Sequence, residues 1–281
     1  MNPYESDPAK IPATDLYADV PFYGRYLPRP DDFQVDPQYV NSESPGALRY
    51  WSSVLSLCTK SVRIYPADEG GRDVFALGSV IIYAIEISRH VLNHIDLPKI
   101  YFCGKINGHQ VLVQERLAGV SLAVAFPYLS ESQRASFKQQ ARAMLRKLHT
   151  IKPSGGQQSR VHVVPDPNIL NNGRINTLEK DMLFSVTNID PDTSLTHNDF
   201  TPSNCIVDND KVVGLVDWEM AGFFGWKLAG EVHRKIRTPQ KEHFANVASS
   251  EEKLRDIMWW NDLYDEGIPV DPNIQNSLCN K

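Results

Sequence analysis

The spacing of apolar positions changes period several times along this chain, and each change marks an element. From Gly46 to Lys60 the residues Leu48, Trp51, Val54, Leu55 and Leu57 recur near helical spacing, which predicts a short amphipathic helix. Ser61 to Tyr65 alternates apolar and polar, the pattern of a strand. Asp73 to Ile82 reads as one or two strands around Gly78, and Ala84 to Ile95 as a helix stopped by Asp96-Leu97-Pro98. Ile100 to Cys103 and Gln110 to Gln114 form two more strands around Lys105-Ile106-Asn107-Gly108, where Asn-Gly is a strong hairpin signal. Residues 61 to 117 are thus expected to form a small mixed sheet with one helix.

The second half has a longer period. Ser130 with Gln133 three residues on is a capping box, and Phe137, Ala141, Leu145 and Leu148 then mark one face of a long helix, a core stripe that needs no functional explanation. Pro153-Ser154-Gly155-Gly156 marks a loop. Ile175 to Phe184, Ala229 to Ile236 and Glu251 to Tyr264 read as further helices. Trp259 and Trp260 in the last of them are expected to pack internally. Cys205-Ile206-Val207 and Val212 to Val216 are short apolar runs joined by Asp208-Asn209-Asp210-Lys211, a hairpin with a polar turn. Residues 1 to 45, rich in Pro, Asp and Tyr without sustained periodicity, predict an extended arm that folds only by docking.

Composition narrows the function classes. A chain of 281 residues with 42% hydrophobic content can bury a substantial core. A net charge of −5, without any basic block, argues against a nucleic-acid partner. Four cysteines, at 58, 103, 205 and 279, lack metal-ligand spacing and suggest neither zinc nor a disulfide framework, so a reducing compartment is expected. The most apolar window, Val74 to Ile87, is interrupted by Gly78, Ser79 and Glu86 and is too short to span a bilayer. No membrane partner is expected, the N-terminus lacks the features of a targeting peptide, and a cytoplasmic location follows.

The candidate chemistry lies in His197-Asn198-Asp199-Phe200-Thr201-Pro202-Ser203-Asn204 and, across the hairpin, Leu215-Val216-Asp217-Trp218-Glu219. Clusters of Asp and Asn are ordinarily turn residues. Here they come in a conjunction: H-x-D, an Asn five positions later, a hairpin, then Asp-Trp. An Asp ending a short turn can accept the proton of an attacking hydroxyl, and an Asn five residues on can return around the same loop to bind a metal. Asp199 and Asn204 suit those roles, and the hairpin would bring Asp217 back beside Asn204. Two such oxygen ligands suit Mg²⁺, which takes its remaining ligands from water and substrate phosphates. His197 is expected to organise the loop rather than to act as acid or base.

These residues resemble the aminoglycoside phosphotransferase and choline kinase-like family, of the fungal-type phosphotransferase kind, strongly over 195 to 222 and more weakly on either side. The resemblance implies an α+β, two-lobed protein-kinase-like fold: after the arm, an N-lobe at 46–117, and a larger, mainly helical C-lobe at 118–281 holding the catalytic loop. It implies ATP and Mg²⁺ as cofactors, Asp199 as catalytic base, Asn204 and Asp217 as metal ligands, and a small-molecule hydroxyl as acceptor. It also implies that the backbone of Glu115-Arg116-Leu117, the linker after the last strand, meets the adenine ring. Oligomeric state leaves no trace in the sequence.

The chain departs from that family at the N-lobe. A Lys on the third strand, held by a Glu on the following helix, normally clamps the nucleotide phosphates. Here the strand ends in Tyr83, which is neutral at pH 7 and offers one hydroxyl donor in place of an ammonium group. Glu86 is the candidate helix Glu, without its Lys. The cations Arg63, Arg72, Arg89, Lys99 and Lys105 do not sit where the pattern places one. Glu69-Gly70-Gly71-Arg72 is as consistent with a turn as with a phosphate nest. Two functional readings follow: a phosphotransferase acting on a small hydroxylated molecule, or a catalytically impaired, pseudokinase-like binding protein or shortened variant. Acidic residues in the second half (Glu219, Glu231, Asp262, Asp265) suit a cationic or polyol-like acceptor and equally suit a solvated face.

Overall fold

The structure, a computed structural model, describes residues 13–14, 30–63, 74–78, 80–83, 98–153, 160–163, 175, 177–185, 193–246 and 250–265. The expected helix at 84–95 with Glu86, the Glu69–Arg72 turn, Arg89 and Cys279 lie outside these residues. The chain divides into two compact units, Met1–Gln140 with Asp199–Met220, and Ala141–Asn198 with Ala221–Lys281. Helices and antiparallel sheets alternate in both, the α+β class expected.

In the first unit, α1 (Pro45–Leu55) begins where the Ser44 hydroxyl accepts from the Ala47 amide and Pro45 occupies the first turn. It buries Ala47, Trp51 and Val54 and stops five residues earlier than periodicity alone suggests. Strands β1 (Val74–Leu77), β2 (Val80–Tyr83), β3 (Ile100–Ile106) and β4 (His109–Glu115) form a sheet in the order β1-β2-β4-β3. The sheet expected to be mixed is antiparallel in every pairing of its described strands. Gly78 turns the first hairpin with φ +53°, and Asn107 and Gly108 turn the second with φ +51° and +84°. One face packs Leu77, Phe102, Ile106, Val111 and Val113 against the α1 stripe.

The structure describes residues 61–63 of the strand predicted for Ser61–Tyr65, and these form no strand. A 3₁₀ turn spans Lys60–Val62, and only Arg63 makes a single bridge, to Phe75. Alternation over so few residues specifies a face but supplies no partner edge, and local i→i+3 bonding from Val62 to Thr59 takes over. The C-terminal end of the expected arm docks: Phe33, Val35 and Tyr39 pack on the same core, Tyr39 stacks on Tyr50 at 4.4 Å, and the Trp51 indole donates to the Tyr39 carbonyl at 3.2 Å.

Beyond β4 the unit continues through β5 (Val120–Ser121), α2 (Leu122–Ala125) and the first turns of α3 (Glu131–His149). The capping box at its start is present in both directions: the Ser130 amide donates to Gln133 Oε1 at 3.0 Å and the Gln133 amide to Ser130 Oγ at 3.3 Å. The second unit holds the rest of α3, β6 (Val161–His162), α4 (Thr177–Phe184), β7 (Thr193–Thr196), β10 (Gly222–Gly225), α5 (Trp226–Val232) and α6 (Glu251–Ile257). Its sheet runs β6-β10-β7, and Met182, Leu183, Phe224, Leu228 and Val232 form a core cluster. The intervening β8 (Cys205–Asp208) and β9 (Lys211–Leu215) belong to the first unit and pair with β5. Among the described residues no helix is long and apolar enough to cross a membrane.

Two helices end differently from expectation. The one predicted over Ala229–Ile236 is α5 followed by a π turn, His233–Arg237. The one predicted over Glu251–Tyr264 is helical only to Ile257. Its later carbonyls are claimed from elsewhere, that of Trp260 by His233 Nε2 at 2.9 Å and those of Asp262 and Leu263 by Arg142. Trp260 is buried, as expected.

His233 generates a pH prediction. It is 3% exposed; burial lowers its pKa to about 4, with the positive charges of Arg234 and Arg237 adding to the effect against the opposing Trp260 carbonyl. Its Nδ1 has no partner among the described residues, so a proton there would be buried without an acceptor. The unfolded chain protonates near pH 6.5, the native one only near 4, so the neutral ring contributes its full stability above pH 6.5 and loses it as the pH falls toward 4. The difference is about 3 kcal/mol. Urea unfolding at pH 7.5 and 4.5 should show this loss on top of the carboxylate background, and His233→Gln should remove most of it. Gly119 gives a second test. Its φ is +107°, and an added Cβ would lie 2.4 Å from the Val207 carbonyl oxygen. Gly119→Ala should cost about 3 kcal/mol in the same assay, whereas Gly108→Ala, which meets no neighbour within 4 Å, should cost only about 1 kcal/mol of backbone strain.

Candidate active site

The loop after β7 is built around Asn204. A 3₁₀ turn, Pro202–Asn204, follows the extended Thr201, and its geometry buries the Asn204 side chain. Both amide hydrogens of that side chain go to Asp199: Nδ2 donates to the Asp199 carbonyl at 2.9 Å and to its carboxylate Oδ2 at 3.0 Å. The Asp199 carbonyl also accepts from the Thr201 amide at 2.8 Å. The loop is therefore closed on itself, and the half-buried Asp199 carboxylate is held at one oxygen. Ser121, which caps α2, donates its hydroxyl to the Pro202 carbonyl at 3.2 Å and ties the loop to β5.

Asn204 also joins the loop to the hairpin. Its carbonyl accepts from the Val216 amide at 3.0 Å, one step beyond the β8–β9 register in which Cys205 faces Leu215. The hairpin turn is Asn209-Asp210, with φ of 47° and 60°, the left-handed pair that a two-residue turn requires. Asp217 follows Val216 directly, exposed and left-handed at φ 63°, and Trp218 anchors the next turn through its indole bond to the Leu215 carbonyl at 3.0 Å. The sequence expectation that the hairpin returns Asp217 beside Asn204 is thus met at the backbone.

The donor set suits a hard cation. With the Asn204 amide nitrogen committed to Asp199, Asn204 Oδ1 and the exposed Asp217 carboxylate are the oxygens that could hold a metal. The pairing suits Mg²⁺ better than a metal that prefers nitrogen or sulfur ligands; Cys205 beside it is buried, and burial drives its thiol strongly toward the neutral form.

A cleft in the same unit is lined by Ile81, Gln114, Glu115, Arg116, Leu117, Gly119, Ile206 and Val216. It contains the whole Glu115–Leu117 linker and adds three apolar side chains, Ile81 from β2, Ile206 from β8 and Val216 beside Asp217. Those three were not singled out from sequence. The signal was available, since Ile206 and Val216 flank the polar motif residues, but a β-branched residue in a strand looks the same whether it faces a core or a ring. Glu115 has a local task as well: its backbone amide donates to the Lys99 carbonyl at 2.7 Å, and its carboxylate accepts from the Lys99 amide at 3.1 Å.

Tyr83 ends β2 opposite Leu112 and Val74. Of the other cations weighed from sequence, Arg63 lies over the Phe75 ring and Lys99 over the Tyr101 ring. His197 is fully buried. Glu231, Asp262 and Asp265 each pair with a cation of their own unit, Lys235 at 3.6 Å, Arg142 at 3.3 Å and Arg234 at 2.6 Å, the behaviour of a solvated face.

The model of the phosphotransferase enzyme family matches residues 83–223, half of the chain. No curated protein is significantly similar in sequence. Among solved structures, the chain is similar to the streptomycin–ATP complex of aminoglycoside phosphotransferase APH(2″)-IIa, with 12% identity, 80% of this chain and 91% of that one covered, and a TM-score of 0.45. It is similar to ADP-bound APH(2″)-Ib at 14% identity, with coverages of 83% and 95% and a TM-score of 0.42. A putative aminoglycoside phosphotransferase from Ralstonia eutropha matches at 15% identity, with coverages of 79% and 81% and a TM-score of 0.43. The stretch from Tyr83 to Phe223, which contains the loop, the hairpin and the linker, identifies the chain as a member of the phosphotransferase enzyme family.

Proposed function

We propose that the protein transfers the γ-phosphoryl group of ATP to a hydroxyl of a small molecule, in the cytoplasm and with Mg²⁺. The observation that carries this reading is the double hold of Asn204 on Asp199, combined with the backbone bond that ties Asn204 to the residue before Asp217. It joins a carboxylate base and two oxygen ligands on one short, cross-braced segment, and phosphoryl transfer asks little more of a protein than such positioning.

In this reading the adenine ring enters the cleft between Ile81 and the Ile206–Val216 pair, with the backbone of Glu115, Arg116 and Leu117 along its polar edge. Glu86 remains the sequence candidate for the helix Glu of the family. Asn204 and Asp217 hold the metal, which neutralises charge on the phosphates when bound. Asp199 takes the proton of the acceptor hydroxyl as that oxygen bonds to the γ-phosphorus, and the bond to the bridging oxygen breaks to release ADP. Its second oxygen, Oδ2, is fixed by Asn204, which orients the carboxylate.

A second reading rests on Tyr83, which ends β2 where the family pattern has its phosphate-clamping Lys. A chain that keeps the metal-binding half without the clamp would bind metal nucleotide and turn it over slowly or not at all.

Consumption of ATP against a panel of small hydroxylated amines, sugars and alcohols separates the two. Phosphotransfer predicts turnover that falls by about 10²-fold or more in Asp199→Ala. Turnover indifferent to that change would sink the catalytic reading. Asn204→Ala and Asp217→Ala should raise the Mg²⁺ concentration needed for half-maximal rate by about tenfold or more, read from metal titrations. A thermal shift with MgATP, unaccompanied by Asp199-dependent turnover, is the outcome expected of the impaired binder.

A further inference from the structure

The residue before Asp199 is held by a buried ion pair that the loop motif does not contain. Asn198 is left-handed at φ 58°, a conformation that few residues other than Gly adopt without help. Its carbonyl accepts from Arg237 Nε at 3.0 Å, and its side-chain Nδ2 donates to Glu179 Oε1 at 3.3 Å. Arg237 Nη2 donates in turn to that same carboxylate oxygen. The three side chains close a cycle within one unit: Glu179 from α4, Arg237 from the last position of the π turn, and Asn198 from the loop entry. Glu179 is 1% exposed and the Arg237 side chain 15%.

A buried ion pair is a poor source of stability, because the desolvation of both charges offsets most of their attraction. Its use here is geometric. A guanidinium offers donors in fixed directions, so one side chain can hold a backbone carbonyl and a carboxylate together, which an ammonium group on a flexible stem does not do. The conformation of Asn198 decides the direction in which its peptide bond delivers Asp199. Arg237 also lies outside the region matched by the family model, and it is presented by a π turn, an irregularity that Thr238 supports by donating its hydroxyl to the carbonyls of His233 and Arg234.

We propose that Glu179 and Arg237 are positioning residues that hold Asn198 in its left-handed turn and thereby aim the Asp199 carboxylate. The proposal rests on the phosphotransferase reading for its catalytic consequence but not for the clamp itself. Misorienting a catalytic group by a fraction of a bond length to one ångström costs up to about 10²-fold in rate. Arg237→Gln is therefore expected to lower kcat by about 10- to 100-fold, with KM for ATP changed by less than about twofold.

Removing the guanidinium also takes an ion-pair partner from the buried Glu179, so Arg237→Gln is expected to lower Tm. The double variant Glu179→Leu with Arg237→Met separates the two effects, because replacing a buried ion pair by apolar groups is close to neutral for stability. Recovery of Tm with kcat still depressed supports positioning; recovery of both overturns it. Amide exchange of residues 195–204 provides the readout that does not need turnover. It should be faster in Arg237→Lys than in the wild type, at matched global stability, and unchanged exchange overturns the clamp even if the double variant fails to fold. If the wild type shows no Asp199-dependent turnover, the phosphotransferase reading fails while the exchange result still decides the clamp.

Discussion

The site depends on one side chain of limited capacity. An Asn amide has two donor hydrogens and one acceptor oxygen, and in Asn204 both hydrogens are spent on Asp199, one on its carbonyl and one on its carboxylate. The backbone of the same residue receives the Val216 amide. Asn204 therefore holds the Asp199 carboxylate, closes the loop and sets the point at which the hairpin returns. A one-residue slip in the β8–β9 pairing would move Val216 out of reach and turn every hairpin side chain to the opposite face.

That register is guarded from a distance. Gln140 on α3 donates to the Asp210 carbonyl and accepts from the Val212 amide, both at 2.8 Å, so its amide acts as a two-pronged template for the strand after the turn. Gln133, one of the capping-box residues, reaches the Asp210 carboxylate at 2.9 Å. The helix start and the hairpin turn are in this way parts of one hydrogen-bonded structure. Between Asn198 and Asp217 the chain adopts the left-handed region four times at non-Gly positions, always at Asn or Asp. These short polar side chains tolerate that region best, and the hydrogen bonds around them offset its cost, so the backbone irregularity of a functional loop is met by the same residue types that the chemistry needs.

Much of this was legible before any coordinates. The hairpins at Gly78, Asn107-Gly108 and Asn209-Asp210 are signalled by residues whose own backbone preferences make the turn, and the Ser130–Gln133 box by two side chains three apart. The candidate base and ligands were legible because they lie within nineteen positions of one another, from Asp199 to Asp217, joined by a local hairpin. What failed was of a different kind. Ser61–Tyr65 has the alternation of a strand, yet its described start belongs to the 3₁₀ turn Lys60–Val62, and the end of the helix expected over Glu251–Tyr264 gives its carbonyls to His233 and Arg142, far away in sequence. Strand β10, in Gly222–Gly225, carried too little pattern to be read, and it exists because β6 and β7 pair with it on either side.

The sequence by itself determined the candidate groups, their order along the chain and the turns that separate them, since these follow from local stereochemistry and from side chains with few roles to choose among. Only the tertiary structure decided that Ile81, Ile206 and Val216 share a cleft with the Glu115–Leu117 linker, and that Glu179 and Arg237, separated by 58 positions, close on the residue before Asp199. The physical reason is the range of the interactions. A φ preference or a capping bond acts over three or four residues and is written in them, whereas a buried charge or an apolar wall is defined by its partner, and the partner is found only when the chain has folded.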